Sequence, residues 1–486
     1  MKPCMLIAGL TTWTLLLHTS AGPASSNRFT DVTEAVGLSG VANSVVAWCD
    51  FDCDGWADLF CANTLWKNMH GERFEKVKNL PKQMTGSGVW GDYDNDGFPD
   101  FFNFKRQKLF HNEKGTGFRN VSKLLPTVDP MTSVSATWSD FDNDGFLDLY
   151  IGGYEVWEKQ ITYPDLILMN RGGTSFELTW KNMQRRARSV ISCDFDQDND
   201  LDIYVSNYRL QPNFLWINDG KGNLSDKASR YDVVGTERSW SGGHSIGSCW
   251  GDFDNDGLFD LFSGNFSHRG ERWGKDHTQP ESDFFRNKGL ASGYRFKDLG
   301  TCGLEWQESY ASPAVGDFDN DGFLDLSFST VYSPDQSVLY QNNGDWTFSD
   351  VTEASGVRSI LGTTETYQNA WADYDNDGDL DLMSGGRLMR NSGNDNAWLK
   401  VRLKGSGSVN SMAIGTQVRL MNGTSAVTRQ VEGSTGQGNV NDHVLHFGLG
   451  FSPSLPLEME IRWTDGTEQQ VLVQAVNQSM TIKKKL

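Results

Sequence analysis

Carboxylates recur in this chain at spacings that suit one hard cation. Seven times the sequence writes an acidic nine-residue cassette, of consensus Asp-aromatic-Asp-x-Asp-Gly-x-x-Asp, with aspartates at positions 1, 3, 5 and 9. The copies supply Asp50, Asp52, Asp54 and Asp58; Asp92, Asp94, Asp96 and Asp100; Asp140, Asp142, Asp144 and Asp148; and Asp194, Asp196, Asp198 and Asp202. Then come Asp252, Asp254, Asp256 and Asp260; Asp317, Asp319, Asp321 and Asp325; and Asp373, Asp375, Asp377 and Asp381. Four carboxylates on a tight loop can wrap a cation in oxygen. Calcium, with roughly 6 to 8 oxygen ligands at about 2.3–2.6 Å, is the expected guest, up to seven ions in all. Position 12, where an EF-hand needs Glu, is Cys61, Asn103, Ile151, Val205, Ser263, Phe328 and Ser384, so that motif is excluded.

The residues around each cassette predict what holds it. Position 2 is aromatic in every copy, from Phe51 to Tyr374, and a strand-like run such as Leu59-Phe60 or Ile203-Tyr204 follows position 9. Trp48, Trp90, Trp138, Trp250 and Trp371 each stand two residues ahead of a first aspartate. Such aromatic and β-branched flanks argue a loop between two strands, with the Trp and Phe repeats packing one sheet on the next. The first aspartates lie 42 to 65 residues apart, the period of four-stranded propeller blades. A second recurring signal, aromatic or Leu followed by x-Asn and then Gly, ends in Asn68, Asn112, Asn170, Asn218, Asn287 and Asn342. It reads as hairpins whose Asn and Gly take up positive φ. Phe29-Thr30-Asp31-Val32-Thr33-Glu34-Ala35 nearly repeats the words of Phe348-Ser349-Asp350-Val351-Thr352-Glu353-Ala354, so the N-terminal segment is expected to complete the last blade and close the ring. The expected fold is all-β, a seven-bladed β-propeller over residues 22–393. From about Asn394 two-residue alternation, as in Leu399-Lys400-Val401-Arg402-Leu403, predicts a C-terminal β-sandwich over 394–486.

Charge and cysteines bound the setting. Removing the 28 loop aspartates from a net charge of −20 leaves a remainder near +8, and seven divalent ions would bring the whole to −6. The acidity therefore belongs to the loops, and no basic stripe suggests nucleic acid. Lys2, the apolar run Met5 to Leu17 and the small residues Thr19-Ser20-Ala21 predict a signal peptide over 1–21, and no later stretch predicts a membrane span. The expected location is secreted, or the lumen of the secretory pathway. There the six remaining cysteines, Cys49, Cys53, Cys61, Cys193, Cys249 and Cys302, would permit up to three disulfides, with one expected near the first loop. Asn120, Asn223, Asn265, Asn422 and Asn477 head glycosylation sequons.

Asn410, Ala413-Ile414-Gly415-Thr416-Gln417-Val418, Leu445-His446-Phe447-Gly448-Leu449-Gly450 and Trp463-Thr464-Asp465-Gly466 resemble the signature of the ASPIC/UnbV domain, with Thr464 where Pro is usual. The cassettes resemble FG-GAP/VCBS calcium-loop repeats, and the two modules together are similar to the cartilage acidic protein family. That resemblance implies a secreted, calcium-binding protein associated with extracellular matrix. Vertebrate members usually add a Cys-rich growth-factor-like module at the C-terminus, which this chain is expected to lack.

Other motifs are weaker. Gly243-His244-Ser245-Ile246-Gly247 matches a nucleophile elbow, but it lies in a strand entering the fifth loop, where the required helix has no room. His443-x-x-His446 reads as part of the domain signature. No zinc-protease, Walker or dinucleotide motif occurs, nor an Arg-Gly-Asp or Asp-x-Ser-x-Ser adhesion motif. Two functions remain open. One is a calcium-stabilised extracellular binding or scaffold module for a protein or glycan, its ions structural. The other is a secretory-pathway enzyme using the central pocket on a small apolar metabolite, which the resemblance extends to cyclases of isoprenoid or terpenoid compounds. A closed aromatic pocket with a carboxylic acid free of calcium would favour the enzyme, and a plugged channel the binder.

Overall fold

The computed structural model describes residues 28–182, 185–235, 242–269, 280–423 and 425–485. The expected leader, residues 1–21, lies outside them. The chain is all-β, apart from two helices of four and five residues and short 3-10 turns among the described residues. Seven four-stranded antiparallel sheets follow one another. The first is Val46–Cys49, Asp58–Cys61, Thr64–Asn68 and Phe74–Lys76 in spatial order. The other inner strands are Val89–Gly91, Ser133–Ser139, Ala187–Cys193, His244–Gly251, Tyr310–Gly316 and Asn369–Ala372. Each inner strand lies beside the next, and that of the seventh sheet lies beside that of the first. In the seventh sheet the outermost strand is Phe29–Asp31, paired with Arg387–Asn391, as the repeated phrase predicts.

Large aromatics fill the seams. Trp48, Trp90, Trp138 and Trp371 are buried, and the indoles of Trp90, Trp138 and Trp371 each donate to a carbonyl of the preceding inner strand, at Ala47, Val89 and Ala314. An indole can be buried without penalty only when its N–H finds such an acceptor, so these bonds fix which sheet packs on which.

The C-terminal part is a two-sheet sandwich. Ala397–Lys404 pairs with Leu445–Gly450 and, in parallel, with Gln478–Lys483. Facing it are Ser425–Gln430, Gln417–Asn422, Leu457–Arg462 and Glu468–Val473. Leu399, Val401, Val418, Leu420, Phe447 and Ile461 form the core, on the alternating positions.

The sandwich sends one loop into the channel that the inner strands surround. Trp48 N–H donates to the Val440 carbonyl and Val440 N–H to Val46, at 3.1 and 2.9 Å. The Asn439 carboxamide accepts from Val46 N–H and donates to Ser312 Oγ and the Tyr367 carbonyl. Gly436 N–H bonds the Ser248 carbonyl, and Ser434 Oγ the Val190 carbonyl. Residues 432–441 thus plug the channel, and their polar backbone is satisfied by the strand edges and serines that line it. Gly436, at φ 53°, fits so closely that a Cβ there would stand 2.5 Å from the Pro313 carbonyl oxygen. Gly436→Ala should therefore cost about 2–4 kcal/mol in thermal or urea unfolding. An unchanged midpoint would mean the plug is not seated as described.

Candidate metal centres

Each cassette is the turn between a sheet's first and second strands, and all seven share one internal wiring, except that in the fourth loop Asp202 Oδ2 has no hydrogen-bond partner. In the first loop Asp50 accepts from Asp54 N–H through Oδ1 and from Gly55 N–H through Oδ2, both at 2.9 Å. Asp58 accepts from Phe51 N–H at 3.1 Å, and Asp54 from Trp56 N–H at 3.1 Å. The same bonds recur in the last loop through Asp373, Asp381 and Asp377. Position 4 is left-handed throughout, at Cys53, Asn95, Asn143, Gln197, Asn255, Asn320 and Asn376. Position 6 is left-handed too, which explains its glycines. The fourth loop departs from the consensus, with Asn199 there at φ 75°, the residue after Gly that best tolerates that region.

These bonds leave oxygens pointing inward. The Oδ1 atoms of Asp52, Asp142, Asp196, Asp254 and Asp375, all at position 3, are buried without a hydrogen-bond partner. Carboxylate oxygens of Asp50, Asp52 and Asp58, of Asp92, Asp94 and Asp96, of Asp140, Asp142 and Asp148, and of Asp194, Asp196 and Asp198 lie within 4.8 Å of one another. Burial, reinforced by neighbouring loop aspartates, pushes Asp58 up to about 9 and holds Asp148, Asp202, Asp260 and Asp381 well above the ordinary carboxylate range. Crowded, desolvated carboxylates with orphaned oxygens fit a divalent oxygen-seeking cation, which would be held by positions 1, 3, 5 and 9. Basic side chains approach some loops from outside. Lys67 pairs with Asp52 and Asp54, Arg286 with Asp254 and Asp256, and Arg390 with Asp375 and Asp377.

The Asn signal has a different role from the one its spacing suggests. Asn68, Asn112, Asn170, Asn218, Asn287, Asn342 and Asn391 are strand residues, buried, and not at positive φ; the glycines after them, such as Gly71 and Gly115, take that conformation. Each Asn N–H donates to the position-9 aspartate of its own loop, at 2.6–2.9 Å. Each carboxamide donates to the position-2 carbonyl of the loop in the preceding sheet. Asn112 reaches Phe51, Asn170 Tyr93, Asn218 Phe141, Asn287 Phe195, Asn342 Phe253 and Asn391 Phe318. Asn68 completes the circuit by donating to Tyr374 at 2.7 Å.

The sandwich also touches the loops, through residues that alternation alone does not single out. Lys400 Nζ sits 2.7 Å from Asp373, Arg402 3.2 Å from Asp50 and Arg462 3.3 Å from Asp194. Arg429, buried, faces Asp252 and Asp317, and Ser411 bonds Asp92. A basic underside therefore docks on the first aspartates.

Other expected features resolve as follows. The cysteines Cys49, Cys53, Cys61, Cys193, Cys249 and Cys302 are all unbridged, and the expected bridge at the first loop is absent: Cys53 and Cys61 contact backbone carbonyls instead. Asn265 is corrected as a glycan acceptor, because its side chain is buried and donates to the Glu281 carbonyl. A sequon cannot report that burial. Asn120, Asn223 and Asn477 are exposed and Asn422 half-buried. Ser245 lies within a strand and donates to Asn265 at 2.8 Å, with no helix following, so it is no nucleophile elbow. His446 bonds the Gly378 carbonyl through Nε2.

Between sandwich and channel lies a cavity of about 100 Å³, lined among others by Trp250, Trp371, Glu432, Asn441 and His443. Burial pushes Glu432 up to about 8 and holds His443 down to about 4, so both are neutral at physiological pH. His443 has neither ring nitrogen hydrogen-bonded. Asp442 and His443 also line an outer cleft of about 700 Å³.

Comparisons with known proteins follow this geometry. The ASPIC and UnbV family matches residues 405–485, and the FG-GAP-like repeat matches 92–151, 194–263 and 317–384. Cartilage acidic protein 1 of Mus musculus and of Homo sapiens are each 26% identical over 281 residues, covering 54% of this chain and 40% and 39% of theirs. The match thus spans about two fifths of those relatives' length. Among solved structures, one explaining recognition of non-reducing terminal N-acetylglucosamine by an Agrocybe aegerita lectin aligns with TM-score 0.43 and 17% identity, over 70% of this chain and 88% of the other.

Proposed function

The chain combines FG-GAP-like repeats with an ASPIC and UnbV domain and fits the cartilage acidic protein family, and from that premise we propose that it is an extracellular, calcium-stabilised binding protein. In this reading residues 22–393 form a closed propeller of seven blades, residues 394–486 its capping sandwich, and up to seven Ca²⁺ ions pin the blade loops. The protein is exported through the leader at 1–21 and glycosylated at Asn120, Asn223, Asn422 or Asn477. The observation that carries the binding role is the plug. With residues 432–441 filling the channel, no route runs through the ring to a reaction chamber, and recognition falls to the outer faces and rims. Among the described residues no helix is long and apolar enough to cross a membrane. The test presents calcium-loaded protein to arrayed matrix proteins and glycans, before and after chelation. Retention that chelation abolishes supports the reading; no retention by either array overturns it.

One observation favours a second reading, catalysis at the small cavity. Glu432 is a carboxylic acid outside the calcium loops, walled by Trp250 and Trp371, and it keeps its proton near neutral pH. A proton donor of that kind suits acid-initiated chemistry on an apolar metabolite, such as the cyclisation of an isoprenoid. A chamber of about 100 Å³ admits only a small part of such a molecule. The same acid makes a stability prediction. Below its unfolded pKa near 4.5 Glu432 is protonated in both states. As pH rises the unfolded chain releases its proton first, so stability falls until the folded carboxyl ionises near 8. Glu432→Gln should remove that slope, matching the parent at pH 5 and melting several degrees higher at pH 8.5. Parallel melting curves at both pH values would place the Glu432 carboxyl in water.

A further inference from the structure

The channel has a second mouth, at the end away from the sandwich, where the inner strands begin. Side chains from five sheets converge there. They are Tyr154 just after Asp148–Gly153, Arg188 in Ala187–Cys193, Tyr208 after Asp202–Asn207, His244 opening His244–Gly251, Tyr332 after Asp325–Thr330 and Tyr367 ahead of Asn369–Ala372. The Arg188 guanidinium lies 4.6 Å from the ring centre of Tyr154, 4.8 Å from Tyr208 and 5.6 Å from Tyr367. Tyr208 meets His244 edge-on at 4.9 Å, and Tyr332 packs 5.2 Å from Phe266, which Tyr208 also touches.

Among the described residues this guanidinium has no carboxylate counter-ion. Arg188 is half-buried, its Nε–H has no acceptor, and the rest of its guanidinium faces the rings and hydroxyls of Tyr154, Tyr208 and Tyr367. The nearby carboxylates are committed elsewhere: Glu155 to Arg186 and Arg209 at 2.6 Å each, and Glu308 to His268. Arginine cannot shed its proton to escape burial. Ring faces and phenol oxygens offset part of the lost hydration but bring no carboxylate to pair with the charge. Among the described residues the rim above is open, with Tyr332 40% exposed and Trp157, 49% exposed, stacked 3.7 Å from Arg209. Burial keeps His244 neutral, with Nδ1 unpartnered.

We propose that this mouth binds a small organic oxyanion, a carboxylate or sulfate ester, whose charge meets Arg188 while its carbon body rests on the rings of Tyr154, Tyr208 and Tyr332. A guanidinium presents paired N–H donors that match either group, and tyrosine faces take the C–H surface of a sugar or comparable ring. The site goes beyond the proposed function and does not use the aspartate loops.

The test titrates the whole protein, in calcium-containing buffer, with D-glucuronate, glucose 6-sulfate and neutral D-glucose, followed by calorimetry and intrinsic fluorescence. The two anions separate carboxylate from sulfate recognition, and glucose reports ring stacking alone. At least one anion should bind ten times or more tighter than glucose. Arg188→Gln should lose that preference, and Tyr332→Ala, at the exposed rim, should weaken the anion at least threefold with an unchanged melting temperature. If Arg188→Gln does not fold, Tyr332→Ala and the anion-to-glucose ratio of the parent decide. The proposal is overturned if neither anion binds, if glucose binds equally well, or if the folded variants keep the parent's affinity. Arg188 is then a cation held by its tyrosine neighbours alone. Because calcium is present throughout, loss of the loop ions cannot imitate any of these results.

Discussion

Chelating calcium should lower the melting temperature of this protein by about 20 °C. With free calcium near ~1 mM and a site Kd near ~10 µM, each ion adds about 2.7 kcal/mol to folding. Seven such ions would add roughly 19 kcal/mol, more than the whole stability of an ordinary domain. At about 1–2 °C per kcal/mol for a chain of this size, extrapolated from smaller domains, the shift is tens of degrees. Calorimetry with and without chelator measures it, and an unchanged midpoint removes calcium from the account. A single variant sharpens the test. Asp196 at position 3 of the fourth loop has an unpartnered buried Oδ1 and no basic side chain paired with it among the described residues. Asp196→Ala should therefore cost about 2–3 kcal/mol in calcium buffer and nothing, or a slight gain, in chelator. Equal losses in both buffers would mean that the carboxylate serves the fold without an ion.

Asn68→Ala should be the most damaging single truncation of a polar side chain. Its carboxamide donates to the Ala57 and Tyr374 carbonyls at 3.0 and 2.7 Å and accepts from Gly71 N–H, all in a site without exposure. Removing it strands two buried carbonyls and one N–H. At about 1–3 kcal/mol for each group left unsatisfied, less whatever water recovers, the expected loss is roughly 3–5 kcal/mol. The Tyr374 bond joins the first sheet to the last, so limited proteolysis should also open that seam first. A loss under about 1 kcal/mol in urea unfolding would show that water replaces the bonds freely.

Much of the architecture is written locally, and those parts are legible in the sequence. An acidic loop of this kind needs its carboxylates and left-handed residues within nine positions, so Asp92 to Asp100 announce themselves. The Trp before each loop is likewise tied to one strand. The partner phrases at Phe29 and Phe348 betray the shared outer-strand position because each must satisfy the same neighbours. The misreadings have a common cause in contacts distant along the chain. Asn-x-Gly marks a turn, yet the Asn itself faces inward because a carbonyl some 60 to 90 residues away, or 306 for Asn68, needs a donor. Gly433 to Asn439 has the composition of a solvated loop, and only the channel around it turns those serines, glycines and amides into buried partners. Asn265 satisfies a three-residue rule while its strand lies in the interior. The cation at Arg188 gave no signal at all, since an isolated Arg in a strand reads as surface.

The strand Phe29–Asp31 has a consequence for how this protein is made. Its hydrogen-bonding partners at Met389, Arg390 and Asn391 leave the ribosome some 360 residues later. Until then the opening segment has no mate, and the assembling sheets keep two raw edges on which neighbouring nascent chains can template. Pairings of such long sequence separation form slowly. Biogenesis should therefore lean on chaperones that shield those edges. Removing Phe29–Asp31 ought to be far more harmful to yield than the strand's length suggests.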